Sequence, residues 1–134
     1  MTNERKVTII PPKPKHHYRV GIYCRVSSRS QEQLTSLATQ ASYLTRLVAA
    51  KPGWILSDIY LDIKSGSEEA DRNEFQRLLI DCRAGKIDVV LAKSISRFGR
   101  NTVETLATIN EMRAKRVEIV FELEEISTND SASQ

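Results

Sequence analysis

Val20-Gly21-Ile22-Tyr23-Cys24-Arg25-Val26-Ser27-Ser28-Arg29 is the stretch on which the reading of this chain turns. An apolar run, 20–23, passes into a polar turn that sets two hydroxyls between two arginines. In α/β domains a rigid strand followed by an exposed turn is where reactive groups sit. Strand alternation places Arg25 and Ser27 on one side and Cys24 and Val26 on the other. The residues alone leave three candidate nucleophiles, the hydroxyls of Ser27 and Ser28 and the thiol of Cys24.

Working outward, 19–26 reads as a first strand. Leu34, Leu37, Ala38, Ala41, Leu44 and Val48 then fall at helical spacing as one apolar stripe, which Pro52-Gly53 ends. Residues 54–61 alternate as a second strand, and 62–71 form a polar loop expected to be mobile. Phe75, Leu78, Leu79 and Cys82 share a helical face that Gly85 stops. Ile87-Asp88-Val89-Val90-Leu91-Ala92 is a compact apolar run suited to a parallel strand buried on both faces. A polar turn at 94–101 precedes a helix supported by Val103, Leu106, Ala107 and Met112. A last strand at 117–123 leads into an acidic, hydroxyl-rich end, 124–134, expected to fray.

Strand and helix alternate throughout, so the expected fold is α/β, with three layers. A mainly parallel sheet of four to five strands carries helices on both faces. In such a sheet function gathers at the carboxyl ends of the strands. The loops 27–33, 62–72 and 93–101 converge there.

With 134 residues, one domain is expected. It is preceded by a basic arm at 1–17 that contains Pro11, Pro12 and Pro14 and both histidines, His16 and His17. No apolar run approaches membrane-spanning length, and the N-terminus lacks the apolar segment of a secretory signal. Cys24 and Cys82 have neither metal-ligand nor disulfide-scaffold spacing, which fits a reducing cytoplasm. The net charge of +3 hides an asymmetry. Residues 1–30 hold seven Lys/Arg against one acid, and 117–134 hold five acids and no Lys/Arg. A basic end suits a polyanion such as nucleic acid.

The converging loops hold Arg25, Ser27, Ser28 and Arg29, then Ser65 and Arg72, then Lys93, Ser94, Ser96, Arg97 and Arg100. Hydroxyls and cations dominate. Guanidinium forks match phosphate oxygens and stabilise the charge that builds on a pentacoordinate phosphorus. A Ser-His-Asp hydrolase lacks its base, since both histidines lie in the arm. A phosphate-cradling loop lacks its glycines and its Gly-Lys-Ser/Thr ending. A cysteine phosphatase needs five residues between Cys and Arg, whereas Cys24 and Arg29 are separated by four. Cys24 therefore reads as a core residue.

Tyr23-Cys24-Arg25-Val26-Ser27-Ser28 resembles the Y-x-R-V-S signature of the serine recombinases, the family of resolvases, invertases and transposon integrases. Ser65-Gly66 followed by Arg72, then Ser96-Arg97-Phe98-Gly99-Arg100-Asn101, then Glu125-Ile126-Ser127-Thr128 extend the resemblance in order across about 19–128. It implies that Ser27 attacks a DNA phosphodiester, leaving a 5′-phosphoserine link and a free 3′-hydroxyl. Arg25, Arg72, Arg97 and Arg100 would surround the scissile phosphate. Gln40, Ser65 and Ser96 would support the site, and Arg29, Lys93, Arg97 and Arg100 would contact DNA. No metal, nucleotide or other cofactor is implied, because the covalent link stores the bond energy for rejoining.

Small resolvases carry Asp where this chain has Ser96, and Ser there is similar to the larger transposon and phage enzymes. The proton-transfer role given to that carboxylate does not transfer, and the general base stays unassigned. The resemblance further implies dimers and tetramers on double-stranded DNA in a bacterial, phage or mobile-element cytoplasm, near the nucleoid. It places 18–128 as the catalytic domain and 129–134 as a frayed tail, with dimerisation and DNA-binding regions expected beyond. Two other readings are weighed: a non-catalytic DNA-binding or assembly module of the same fold, and an unrelated phosphotransfer enzyme.

Overall fold

A computed structural model describes residues 17–63, 72–94, 102–122 and 126–127. The elements run β1 (Tyr18–Val26), α1 (Gln31–Ala50), β2 (Trp54–Ile63), α2 (Asn73–Arg83), β3 (Val89–Ala92), α3 (Thr102–Ala114), β4 (Glu118–Phe121) and β5 (Ile126–Ser127). The sheet order is β2-β1-β3-β4-β5. β1 pairs in parallel with both β2 and β3, β3 pairs in parallel with β4, and β5 closes the far edge antiparallel to β4. The expected doubly wound α/β architecture is what the chain adopts.

Because the chain steps from β1 to one side and then back across to the other, right-handed crossovers put α1 on one face and α2 and α3 on the opposite face. The core divides accordingly. Val20, Ile22, Cys24 and Val26 of β1 pack with Leu37, Leu44 and Val48 of α1. Tyr23 of β1 packs with Phe75, Leu78, Leu79 and Cys82 of α2, and with Met112 beyond. The alternation read from the sequence thus separates Cys24 from Arg25 and Ser27. Both cysteines are buried, and burial pushes the Cys82 thiol up to about 12.

Four features depart from the sequence reading. The α1 stripe begins at Leu37, and buried Gln40 interrupts it, while Leu34 and Ala38 face solvent. β2 runs two residues past 61, so Asp62 and Ile63 are strand residues paired with Arg25 and Val26. α3 buries Met112 and Thr105 but leaves Val103 and Leu106 79% and 54% exposed. Ile126 and Ser127, expected to fray, pair with Phe121 and Val120. The loop expected to be mobile lies outside the described residues over 64–71.

Gly21 marks a close approach. Between Val20 and Gly21 the β1–β2 register slips, Val20 facing Leu56 and Gly21 facing Asp58, which leaves Ser57 as the extra residue of a bulge. A Cβ on Gly21 would meet Tyr60 Cε1 at 3.1 Å, Ile87 Cδ1 at 3.2 Å and Leu78 Cδ1 at 3.3 Å.

Ion pairs brace the α2 side. Arg77 reaches Asp58 at 2.7 Å and Glu74 at 2.6 Å, and its guanidinium lies 4.2 Å from the Tyr60 ring centroid. Arg83 on α2 holds Glu111 on α3 at 2.6 Å. Hydrogen bonds from Arg77 and Arg83 hold the Asp58 and Glu111 carboxyls below the usual range. A carboxyl depressed in the folded state contributes stability above its unfolded pKa and loses it as pH falls. Both pairs are partly exposed, so each contributes about 0.5 kcal/mol. The melting temperature is expected to hold from pH 7 to 5 and to drop below about pH 4. In the Arg77→Gln/Arg83→Gln variant, thermal melts should show a lower plateau and a shallower acid limb.

Candidate active site

The turn after β1 uses its hydroxyls unequally. Ser30, with φ −61° and ψ 156°, is the N-cap of α1, and its side chain accepts from the Gln33 N–H at 3.2 Å. Ser28 Oγ lies 3.2 Å from Ser30 Oγ and accepts from the Ser30 N–H at 3.3 Å. Ser28 is therefore absorbed into starting the helix. Ser27 is exposed at the carboxyl end of β1. Gln33 Oε1 accepts from both its N–H and its hydroxyl at 3.3 Å. An amide oxygen orients that hydroxyl but cannot take its proton. Gln33 was not singled out from the sequence, because a contact from the first turn of α1 back to the strand end has no periodic signature.

Two residues before Ser27, Arg25 is half-buried on the same side of β1, and its Nε is out of water with no hydrogen-bond partner among the described residues. Its neighbour across the sheet is Asp62. That carboxylate is 4% exposed and accepts three hydrogen bonds. Tyr23 Oη donates at 2.8 Å, and the backbone N–H groups of Glu74 and Phe75 donate at 3.0 Å each. Burial, reinforced by the Asp62 charge, drives the Tyr23 hydroxyl far above its ordinary range, so Tyr23 is a neutral donor and no base. Tyr23 enters the sequence reading only as the first residue of the signature, with no role, and Asp62 is not singled out there. Asp62 falls in the stretch expected to be loop, and the usable signal is an acid two residues after Tyr60, on the same side of a continuing strand.

Arg72 stands at the start of α2 with 4% of its surface exposed. Its guanidinium lies 4.1 Å from the Phe75 ring centroid and 6.0 Å from that of Tyr23. The two rings meet edge to face at 5.2 Å. Burial disfavours its charged form and the nearby Arg25 charge adds to this, so its pKa is lowered. A guanidinium stays protonated even so. A cation poor in water and near a second cation gains most when an anion arrives.

On the α1 side, Lys93 follows β3 and lines a cleft of about 410 Å³ with Ser36, Thr39, Gln40, Tyr43 and Glu122. Gln40 is 5% exposed, and neither amide atom has a hydrogen-bond partner among the described residues. Arg29 is exposed on the turn. The structure therefore brings Arg25, Ser27 and Arg72 to one side of β1 and sets Gln40 and Lys93 on the other. Ser65, Ser96, Arg97 and Arg100 lie outside the described residues.

A doubly wound domain that ends an interior strand in an exposed serine flanked by arginines has the makings of a phosphoryl-transfer enzyme using a serine nucleophile. A family model described as the resolvase N-terminal domain matches residues 20–134, and the chain belongs to that family. Solved structures agree. The N-terminal catalytic domain of TP901-1 integrase is 27% identical, with a TM-score of 0.71 over 85% of this chain and 84% of that one. A resolvase family site-specific recombinase from Streptococcus pneumoniae is 25% identical, with a TM-score of 0.74 over 87% and 80%. The C-terminal catalytic domain of ISC1926 TnpA, an IS607-like serine recombinase, is 28% identical, with a TM-score of 0.67 over 78% and 70%. The chain is a site-specific serine recombinase catalytic domain.

Proposed function

We propose that residues 18–128 are the catalytic unit and that Ser27 is its nucleophile on double-stranded DNA. Ser27 Oγ forms a bond to phosphorus as the bond from phosphorus to the 3′-oxygen breaks. The product is a 5′-phosphoserine and a 3′-hydroxyl, and reversal on a new partner strand rejoins the DNA. Arg25 and Arg72, with Arg97 and Arg100, neutralise the charge on the pentacoordinate phosphorus. Gln40, Ser65 and Ser96 support the site, and Arg29 and Lys93 bind flanking phosphates. The observation that carries the reading is the exposed Ser27 hydroxyl at the end of β1, on the side where Arg25 and Arg72 lie.

The Ser27 hydroxyl proton leaves to water, with the surrounding guanidinium groups favouring the alkoxide, and the departing 3′-oxygen takes a proton from water to become the 3′-hydroxyl. Tyr23 is held neutral and Asp62 already accepts three hydrogen bonds, so neither supplies the base. Sequence readout and assembly into dimers and tetramers come from regions outside the catalytic unit, and the setting is the cytoplasm of a cell bearing the mobile element. Trapping the recombinase on a nicked suicide substrate should give a protease-sensitive adduct. Peptide mapping by mass spectrometry should place the nucleotide remnant on Ser27. A remnant on any other residue removes the assignment.

A further inference from the structure

The sheet has a second edge, where β1, β2, β3 and β4 begin. Backbone hydrogen bonds tie the four starts into one row. The Tyr18 N–H donates to Gly53 O at 2.6 Å, the Asp88 N–H to Arg19 O at 2.8 Å, and the Glu118 N–H to Asp88 O at 3.0 Å. With strands about 4.8 Å apart, the row is roughly 14 Å long. Five exposed cations stand along it, Lys51, Arg19, Lys86, Lys115 and Arg116, against the carboxylates of Asp88 and Glu118. Asp88 is committed to Arg19, whose Nε and Nη2 donate to it at 3.0 and 3.1 Å. Lys86, Lys115 and Arg116 form no salt bridge among the described residues. A cleft of about 440 Å³ opens beside Lys115 and Arg116.

One of these cations sits where its backbone resists it. α2 and α3 end in the same turn. After α2 the Gly85 N–H donates to Cys82 O at 3.1 Å and the Lys86 N–H to Asp81 O at 2.9 Å. After α3 the Arg116 N–H donates to Arg113 O at 3.0 Å and the Val117 N–H to Met112 O at 2.8 Å. Each turn needs one left-handed residue, Gly85 at φ 77° and Arg116 at φ 64°. Glycine adopts that conformation freely, whereas arginine brings a Cβ too close to the following carbonyl oxygen. Complementing the carboxyl end of a helix is one use for a cation here. Arg113 in the last turn of α3 and Lys115 just after it already serve that end, so it does not require a third cation at the strained position.

We infer that this edge binds the sugar–phosphate backbone of duplex DNA, in a contact separate from the one at Ser27. β1 runs nine residues, 18–26, between the two edges, which sets them about 26 Å apart. A duplex across the row is therefore a different segment from the one whose phosphate meets Ser27. The row spans roughly four base-pair steps of a duplex. The basic arm, with Arg5, Lys6, Lys13 and Lys15 against Glu4, joins the chain at this same edge. Ammonium and guanidinium groups aimed at phosphates hold DNA without reading its sequence.

The test uses the 134-residue chain and a short fluorescent duplex that carries no recombination site, so its outcome does not depend on the Ser27 assignment. Anisotropy titrations at several salt concentrations give the slope of log affinity against log salt. Lys86→Gln/Lys115→Gln/Arg116→Gly should lower that slope by about 2 to 3 and weaken binding on the order of 10-fold at low salt. In the ¹⁵N-labelled chain, adding the duplex should move the amide resonances of 85–88 and 115–118. Arg116→Gly alone should weaken binding while raising the melting temperature, because it relieves the left-handed backbone. Should the triple variant fail to fold, Lys86→Gln alone should still lower the slope by about 1. An unchanged slope, or amide shifts confined to 25–33, overturns the inference. A lower melting temperature in Arg116→Gly with binding unchanged assigns that arginine to the helix end and overturns it as well.

Discussion

Ser27→Ala should abolish the covalent protein–DNA adduct, an expected loss of at least about 10⁴-fold in the rate of strand cleavage, with the fold intact. Ser27 is exposed and belongs to no core cluster, so removing its oxygen leaves the packing untouched. No neighbouring group takes its place. Ser28 is engaged with Ser30 at the start of α1, and the Cys24 thiol is fully buried on the opposite side of the strand. Ser28→Ala and Cys24→Ala are therefore expected to retain the adduct, each at a modest cost in stability. Gel-resolved adduct formation on a suicide substrate distinguishes the three variants. An adduct that survives Ser27→Ala and disappears in either of the others would reassign the nucleophile.

Gly21→Val should be the most damaging single substitution in the β1–α2 interface. A Cβ there already comes within 3.1–3.3 Å of Tyr60, Ile87 and Leu78, and the two methyls of valine have nowhere to go. Overpacking of this kind costs about 3 kcal/mol, a fall of roughly 10 °C or more in melting temperature. Gly21→Ala should cost about 1 kcal/mol, because the Ile87 and Leu78 methyl groups can yield by a few tenths of an ångström. Thermal melts of the two variants test the ordering. A Gly21→Val protein as stable as the parent would mean that the bulge at Ser57 absorbs the strain.

Much of the fold was legible because its signals are periodic. The apolar run at 87–92 could satisfy only a strand covered on both faces, and Phe75, Leu78, Leu79 and Cys82 could meet only on one side of a helix. α3 was legible as a helix but not as an oriented one. Of the apolar residues that mark this helix, Met112 is buried as expected, while Val103 and Leu106 face solvent and the polar Thr105 is buried instead. β5 is two residues in an acidic stretch, and pairing that brief leaves no pattern.

The site was legible to the extent that its residues form local motifs. Arg25 and Ser27 share a strand side by alternation, and Arg72 was assigned by resemblance. The contacts that hold these groups join distant parts of the chain and were not legible. Asp62 meets Tyr23 across 39 positions and the turn of α2 across 12 and 13. Asp62 reads as a loop acid until the helix it caps is present. Gln33 is similar: polarity places it at a helix start, and only the fold brings its amide to Ser27.

β1 pairs with β2 through all nine of its residues and with β3 through four, so it has neighbours on both sides, whereas β2 and β5 each leave one margin free. Amides in such a strand exchange with solvent only when the whole sheet comes apart. The serine thus hangs from the segment that is last to open. Loosening at the far margin, where β5 is held by two residues, leaves that anchorage in place. On the proposed reading, an enzyme that holds cut DNA through Ser27 needs its grip to outlast every partial opening of the domain, and an interior strand paired on both sides would provide it.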